Sequence, residues 1–206
     1  MINTLRTMGN LRLAYDDAGL GIPYPSKAPS SGNHGYKDLK KNPHIIDQIP
    51  ELKSCRELRQ LVKSANSFTS IFRTLGCDKW VNAPEKPGRP YLDGCYIDLA
   101  FELLDWNTEK AWTSAYDAFV AHSLHLRFSA PCEVEFQMHR TSFNDHIVGD
   151  SVRLGVTPAI YIVGNGVSRT HAKKGFMAGV GLFESFLFAQ NEKYREHLNT
   201  SKVRIS

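Results

Sequence analysis

The densest group of chemically competent side chains is His139, Asp145, His146 and Asp150, directly after a stretch of alternating apolar and polar residues. Imidazole and carboxylate groups gathered this way suit a divalent metal or general acid–base work. On that reading His139, Asp145 and His146 are the candidate catalytic residues. Asp145, His146 and Asp150 are the candidate metal ligands, with a divalent metal as the cofactor and phosphodiester hydrolysis as the reaction. The competing reading is a polar turn, in which Asn144 and Asp145 bond to nearby backbone and no cofactor is needed.

Two further groups carry charge rather than reactivity. Ser54 to Gly76 shows apolar residues at three- and four-residue intervals, from Leu58, Leu61, Val62 and Ala65 to Phe68, Phe72 and Leu75. That spacing predicts an amphipathic helix over about 54–75, with Ser54 and Glu57 as its capping box and Gly76 as its stop. Arg56, Arg59, Lys63 and Arg73 then share the opposite flank, and a face of one sign suggests an acidic partner. The second group runs from Gly164 to Gly175. Glycines bracket it, and Arg169, Lys173 and Lys174 give it positive charge, a pattern that can cradle phosphate on backbone N–H groups.

Two resemblances attach to these stretches. Asp145-His146-Ile147-Val148 resembles the first half of the metal-finger signature of HNH endonucleases, which implies a general-base role for His146 and metal binding for Asp145. Asn165 or His171 would have to supply the later positions. The 164–175 loop, taken with Gly179 and Gly181, resembles the glycine-rich loop of CRISPR-associated RNA-processing proteins of the ferredoxin-like class. His139-Arg140-Thr141 is one copy of the triplet that two-histidine phosphoesterases carry twice. There is no Walker A loop, G-x-S-x-G elbow, H-E-x-x-H pair or Rossmann fingerprint.

Composition bounds the rest. The chain has 206 residues, a formal net charge of +4 and 42% hydrophobic residues, which fits a globular protein rather than a disordered one. Cys55, Cys77, Cys95 and Cys132 are too scattered for a zinc finger and read as reduced thiols in a cytoplasmic protein. No run approaches the roughly 20 apolar residues of a membrane span.

The elements that must position these groups follow from periodicity. Gly19 to Gly35 is rich in glycine and proline, so residues 1–50 are expected to form an extended, irregular arm that contacts the domain or a neighbouring subunit. Residues 51–206 are expected to form one domain. Alternation marks strands at Cys95–Leu103 and Cys132–His139, with shorter ones near Val152–Val156 and Ala159–Val163. Helices are expected from about Thr108 to Leu124 and from about 180 to 198. The pattern predicts an α+β fold, with a mostly antiparallel sheet and about three helices.

The functional expectation is a non-enzymatic binding or accessory protein, of phage, plasmid or defence-system type. It would contact nucleic acid or an acidic protein surface through Arg56, Arg59, Lys63, Arg73, Arg169, Lys173 and Lys174. The alternatives are the metal-dependent nuclease above and a structural subunit assembled through the arm.

Overall fold

The computed structural model describes residues 2–8, 10–25, 34–83, 90–124, 131–144 and 152–203, with backbone alone for 2–8 and 196–203. Its centre is a six-stranded sheet in the order β1-β2-β5-β6-β4-β3. The strands are β1 (Ile2–Met8), β2 (Leu11–Ile22), β3 (Phe72–Asn82), β4 (Tyr91–Phe101), β5 (Cys132–Phe143) and β6 (Arg153–Gly166). Three hairpins build it, β1–β2, β3–β4 and β5–β6, and every pairing is antiparallel except β2 with β5. The α+β class and the mostly antiparallel sheet are therefore as expected.

Within the segment expected to be an arm, residues 2–8 and 11–22 are the strands of the β1–β2 hairpin, and β2 runs beside β5 from Leu11 to Ile22. Its glycines at 19 and 21 sit past a register shift between Asp16 and Gly19, where the strand bends and continues. The two short strands expected at 152–163 are one continuous strand, because Pro158 sits within β6 without ending it.

The helices are α1 (Pro50–Lys53), α2 (Arg56–Ala65), α3 (Glu109–Leu124) and α4 (Arg169–Val203). All four bury their apolar residues against one face of the sheet. Leu52, Leu58, Leu61, Trp112, Phe119, Phe176, Phe183 and Phe186 join Leu13, Ile97, Leu99, Val134, Phe136 and Ile162 in a single core. The core is held by ring contacts: Phe101 stacks on Trp112 at 4.3 Å, and Phe119 touches Phe136, Phe183 and Phe186 at 5.3–5.6 Å. Oxygen atoms cap α3 and α4, since Thr108 Oγ1 accepts from Ala111 and Ser168 Oγ accepts from His171.

The helix expected over 54–75 is corrected in two places. It begins after Cys55, with no side-chain cap, and it ends at Ala65. Asn66 stops it: its amide donates to Val62 and to Thr74 Oγ1, and its oxygen accepts from the Thr74 N–H. Ser67 to Ser70 then form a turn in which Ser70 Oγ accepts from Phe72, so hydroxyl groups compete with the helical ladder. Phe72 onward is strand, and Phe68, expected on the apolar flank, is fully exposed at 100%. None of the described helices is long and apolar enough to cross a membrane. The four cysteines are free thiols.

Candidate binding site on the open face of the sheet

Side chains alternate across a strand, so residues that do not face the helices share the opposite face. Register lines them up in rows. One row runs Asp78, Tyr96, Tyr161, Glu135, Arg12; the next runs Gly76, Asp98, Ala159, Gln137, Ala14. Thr157, His139 and Asp16 form a third. At one end this face is closed by a small second core of Ile22, Leu75, Ala100 and Phe143, against which Tyr24 and Tyr36 pack. Beyond it, small residues make the floor and large polar ones the walls: Ala14 and Ala159 are buried, while Tyr96, Tyr161 and Trp80 are half-buried.

The aromatic walls touch. Tyr96 and Tyr161 lie 5.7 Å apart between ring centroids, and Trp80 lies 6.3 Å from Tyr161. Beside them Arg12 pairs with Glu135 at 3.4 Å. Gln137 donates to Asp16 at 3.2 Å, and His139 Nδ1 sits 3.8 Å from the same carboxylate. Burial pushes the His139 pKa down, and Asp16 opposes that only in part. Burial likewise raises Glu135, against the pull of Arg12.

Asp98 is the exceptional group. The residue is half-buried, and desolvation alone pushes its carboxyl up to about 7. Among the described residues it has no hydrogen-bond donor and no counter-ion. The Tyr24, Tyr96 and Tyr161 phenols are its neighbours, and each is raised first by its own burial and then by the Asp98 charge. Gly76 makes the approach feasible: a Cβ there would lie 2.7 Å from Tyr24 Oη and 3.0 Å from Asp98 Oδ2. Tyr24 is in turn fixed by donating to the Leu75 carbonyl at 3.0 Å.

Asp98, Tyr96, Asp78 and Gly76 line a cavity of about 420 Å³. Its other walls come from Tyr24, Lys37, Ile49 and Glu51, on segments that wrap the β3 edge. A second, broader depression of about 800 Å³ lies between Asn107–Glu109, Arg140–Ser142 and Leu154–Val156. There the buried hydroxyl of Thr141 is already matched by Thr157 at 2.6 Å.

The residues singled out in the sequence are dispersed. His139 meets Asp16 and not its expected partners; Asp145, His146 and Asp150 lie outside the described residues. Among the described residues no three His, Cys, Asp or Glu side chains converge as metal ligands do. Arg73 is not on the helix at all. It is buried in β3, where its guanidinium grips Glu102 at 2.9 and 3.0 Å and reaches Asp38 at 4.0 Å. Arg59 is exposed and pairs with Asp47. Arg56 and Lys63 on α2, and Arg169, Lys173 and Lys174 on α4, are exposed.

The glycine-bracketed stretch is a packing device. Gly164 lets α4 press onto β6, since a Cβ there would lie 2.1 Å from both the Ala172 carbonyl and the Phe176 N–H. Gly175 faces the Pro131 carbonyl, 2.0 Å from where its Cβ would be. These glycines sit against backbone and do not form an open cradle.

Asp98, Tyr24, Tyr96 and Tyr161 were not singled out from the sequence. The available signal was the β4 alternation itself, whose polar face holds Gly94 and Ala100 beside Tyr96 and Asp98. Small residues there mean that something packs or docks closely. Comparison with protein-family models, with curated proteins and with solved structures returns no match.

Proposed function

We propose that this is a binding protein whose ligand, a small organic molecule, seats in the cavity floored by Asp98 on the open face of the sheet. The observation that carries the reading is the Asp98 carboxyl itself. A half-buried carboxyl with no cation or donor beside it among the described residues is costly to ionise. A chain that keeps such a group on the wall of a 420 Å³ cavity lined by polar and apolar side chains alike, Tyr24 and Tyr96 among them, has the concave form of a ligand pocket. A ligand-observed NMR screen of neutral, cationic and anionic fragments tests it. Binders should be found, should be lost in Tyr96→Ala, and should be retained in an Arg56→Glu, Lys173→Glu double variant. Silence across the screen at millimolar concentrations refutes it.

A second reading is favoured by one observation: the two basic stretches lie on adjacent helices. Ser64 of α2 donates to Glu184 of α4 at 2.7 Å, and the two helices pack against each other. Arg56, Lys63, Lys173 and Lys174 thus offer one exposed basic surface to nucleic acid or an acidic protein. Its affinity for a labelled oligonucleotide should fall steeply with salt, and should vanish when Arg56, Lys173 and Lys174 become Glu. Salt-independent binding, or none, removes this reading.

A further inference from the structure

We infer that the occupant of the Asp98 cavity carries a positively charged nitrogen, an amine or amidinium, with an apolar or aromatic body laid against Tyr96 and Tyr161. The inference rests on the cavity being the working site and adds the chemical class that it takes.

Three features carry it. The first is the unanswered carboxyl. Asp98 meets no donor and no cation among the described residues, and the Tyr24 and Tyr96 phenols lie close enough to feel its charge. A carboxylate half withdrawn from water gains from a partner of opposite charge that brings hydrogen-bond donors. A protonated amine or an amidinium supplies both.

The second is the wall. The faces of Tyr and Trp rings are negative and attract cations within about 6 Å of the ring centre. Tyr96 lines the cavity beside the carboxyl, and Tyr161 and Trp80 continue the run of rings beyond the cavity, with centroid spacings of 5.7 and 6.3 Å. Half-exposed rings in that position hold the body of a ligand whose charged end lies at Asp98.

The third is the sign of the field. Asp78 and Glu51 line the same cavity. Burial first, and then the charges of Asp98, Glu135 and Asp16, hold the Tyr161 hydroxyl protonated. A phosphate or carboxylate ligand would therefore meet like charge from several directions. Lys37 and His34 are the basic residues of the lining, and His34 lies 4.0 Å from Glu51. His139, on the same face, is kept neutral by burial.

A matched series of probes decides the point. The intact chain is titrated at pH 8 with 3-phenylpropylamine, 3-phenylpropan-1-ol and 3-phenylpropionate, followed by calorimetry or NMR. The three share a body and differ in terminal charge. The amine should bind at least tenfold more tightly than the alcohol, and the propionate should be weakest. Asp98→Asn keeps the shape and removes the charge, so amine and alcohol should come within threefold of each other. Tyr161→Leu should weaken the amine threefold or more and the alcohol less. An alcohol or propionate that matches the amine overturns the inference, as does an amine preference that survives Asp98→Asn. If the fragment screen instead yields neutral or anionic binders that depend on Tyr96, the cavity stands and the cation assignment falls. If neither screen nor series shows binding, the cavity reading fails and the inference goes with it.

Discussion

Replacing Asp98 with asparagine should stabilise the protein, and by an amount that grows with pH. In the folded chain the carboxyl titrates at about 7, against 3.8 for a free one, so folding raises its pKa. Between those values the native state holds a proton that the unfolded state has released, and stability therefore falls as pH rises through that window. Integrating the linkage gives a loss of about 2 kcal/mol already at pH 5 and about 4 kcal/mol at pH 8, relative to a permanently neutral group. A side-chain amide cannot ionise, so the advantage of Asp98→Asn should widen by about 2–3 kcal/mol between pH 5 and pH 8. For a chain of this size that is a Tm gap that widens by roughly 5–10 °C. His139 titrates with the opposite sign, because burial lowers its pKa and its contribution rises with pH. Taking the difference between variant and wild type at each pH cancels that term. Urea unfolding at pH 5, 6, 7 and 8 measures it. A difference that stays flat, or a variant less stable than wild type at pH 8, would show that Asp98 is not a desolvated, unpaired carboxyl, and the cavity argument would lose its centre.

Other perturbations test other parts of the structure. Gly164→Ala drives a methyl into backbone 2.1 Å away, so α4 must lift from β6, and thermal denaturation should show a large drop in Tm. Phe183→Ala, in the core between α4 and the sheet, should cost about 3–5 kcal/mol in urea unfolding. Arg73→Ala removes a buried guanidinium from Glu102, which is itself part-exposed and keeps Lys40 at 3.9 Å, and should cost roughly 1–3 kcal/mol, whereas Arg59→Ala, an exposed pair, should change stability by less than about 1 kcal/mol. Equal effects at the two arginines would contradict the assignment of Arg73 to the buried edge of β3.

Local signals carried the fold a long way. Strict alternation in Cys132–His139 and in Cys95–Phe101 gives two of the central strands, and Thr108 marks the start of α3. Where those signals fail, a distant contact replaces a local preference. Leu11–Ile22 has glycines and two adjacent aspartates that argue against a strand, yet pairing with β5, more than 120 residues away, makes it one. The helical spacing of Phe68, Phe72 and Leu75 continues the α2 pattern by coincidence. Asn66 ends the helix through Thr74, and no periodicity reports that bond.

The site was harder to read than the fold for a related reason. A polar residue on the outer face of an amphipathic strand looks solvated, and Asp98 differs from Glu133 or Asp78 only in what encloses it. Tyr24 stands 74 residues before it in the chain, and Tyr161 63 residues after it. Enclosure is set by β-strand order, which brings β4 between β3 and β6 and leaves room at Gly76 for the Tyr24 hydroxyl. The conspicuous charges of the sequence behave the other way. Arg73 and Lys40 look like surface cations, yet Arg73 is forked onto Glu102 and Lys40 donates to the Ser67 and Ser70 carbonyls, pinning residues 36–40 against the sheet edge. Charge that is abundant in the sequence serves the architecture at that edge, while Asp98, a half-buried carboxyl with no cation beside it among the described residues, lies where its charge reaches three tyrosines. Chemistry in this chain is therefore to be sought where a charge is unmatched rather than where charges are many.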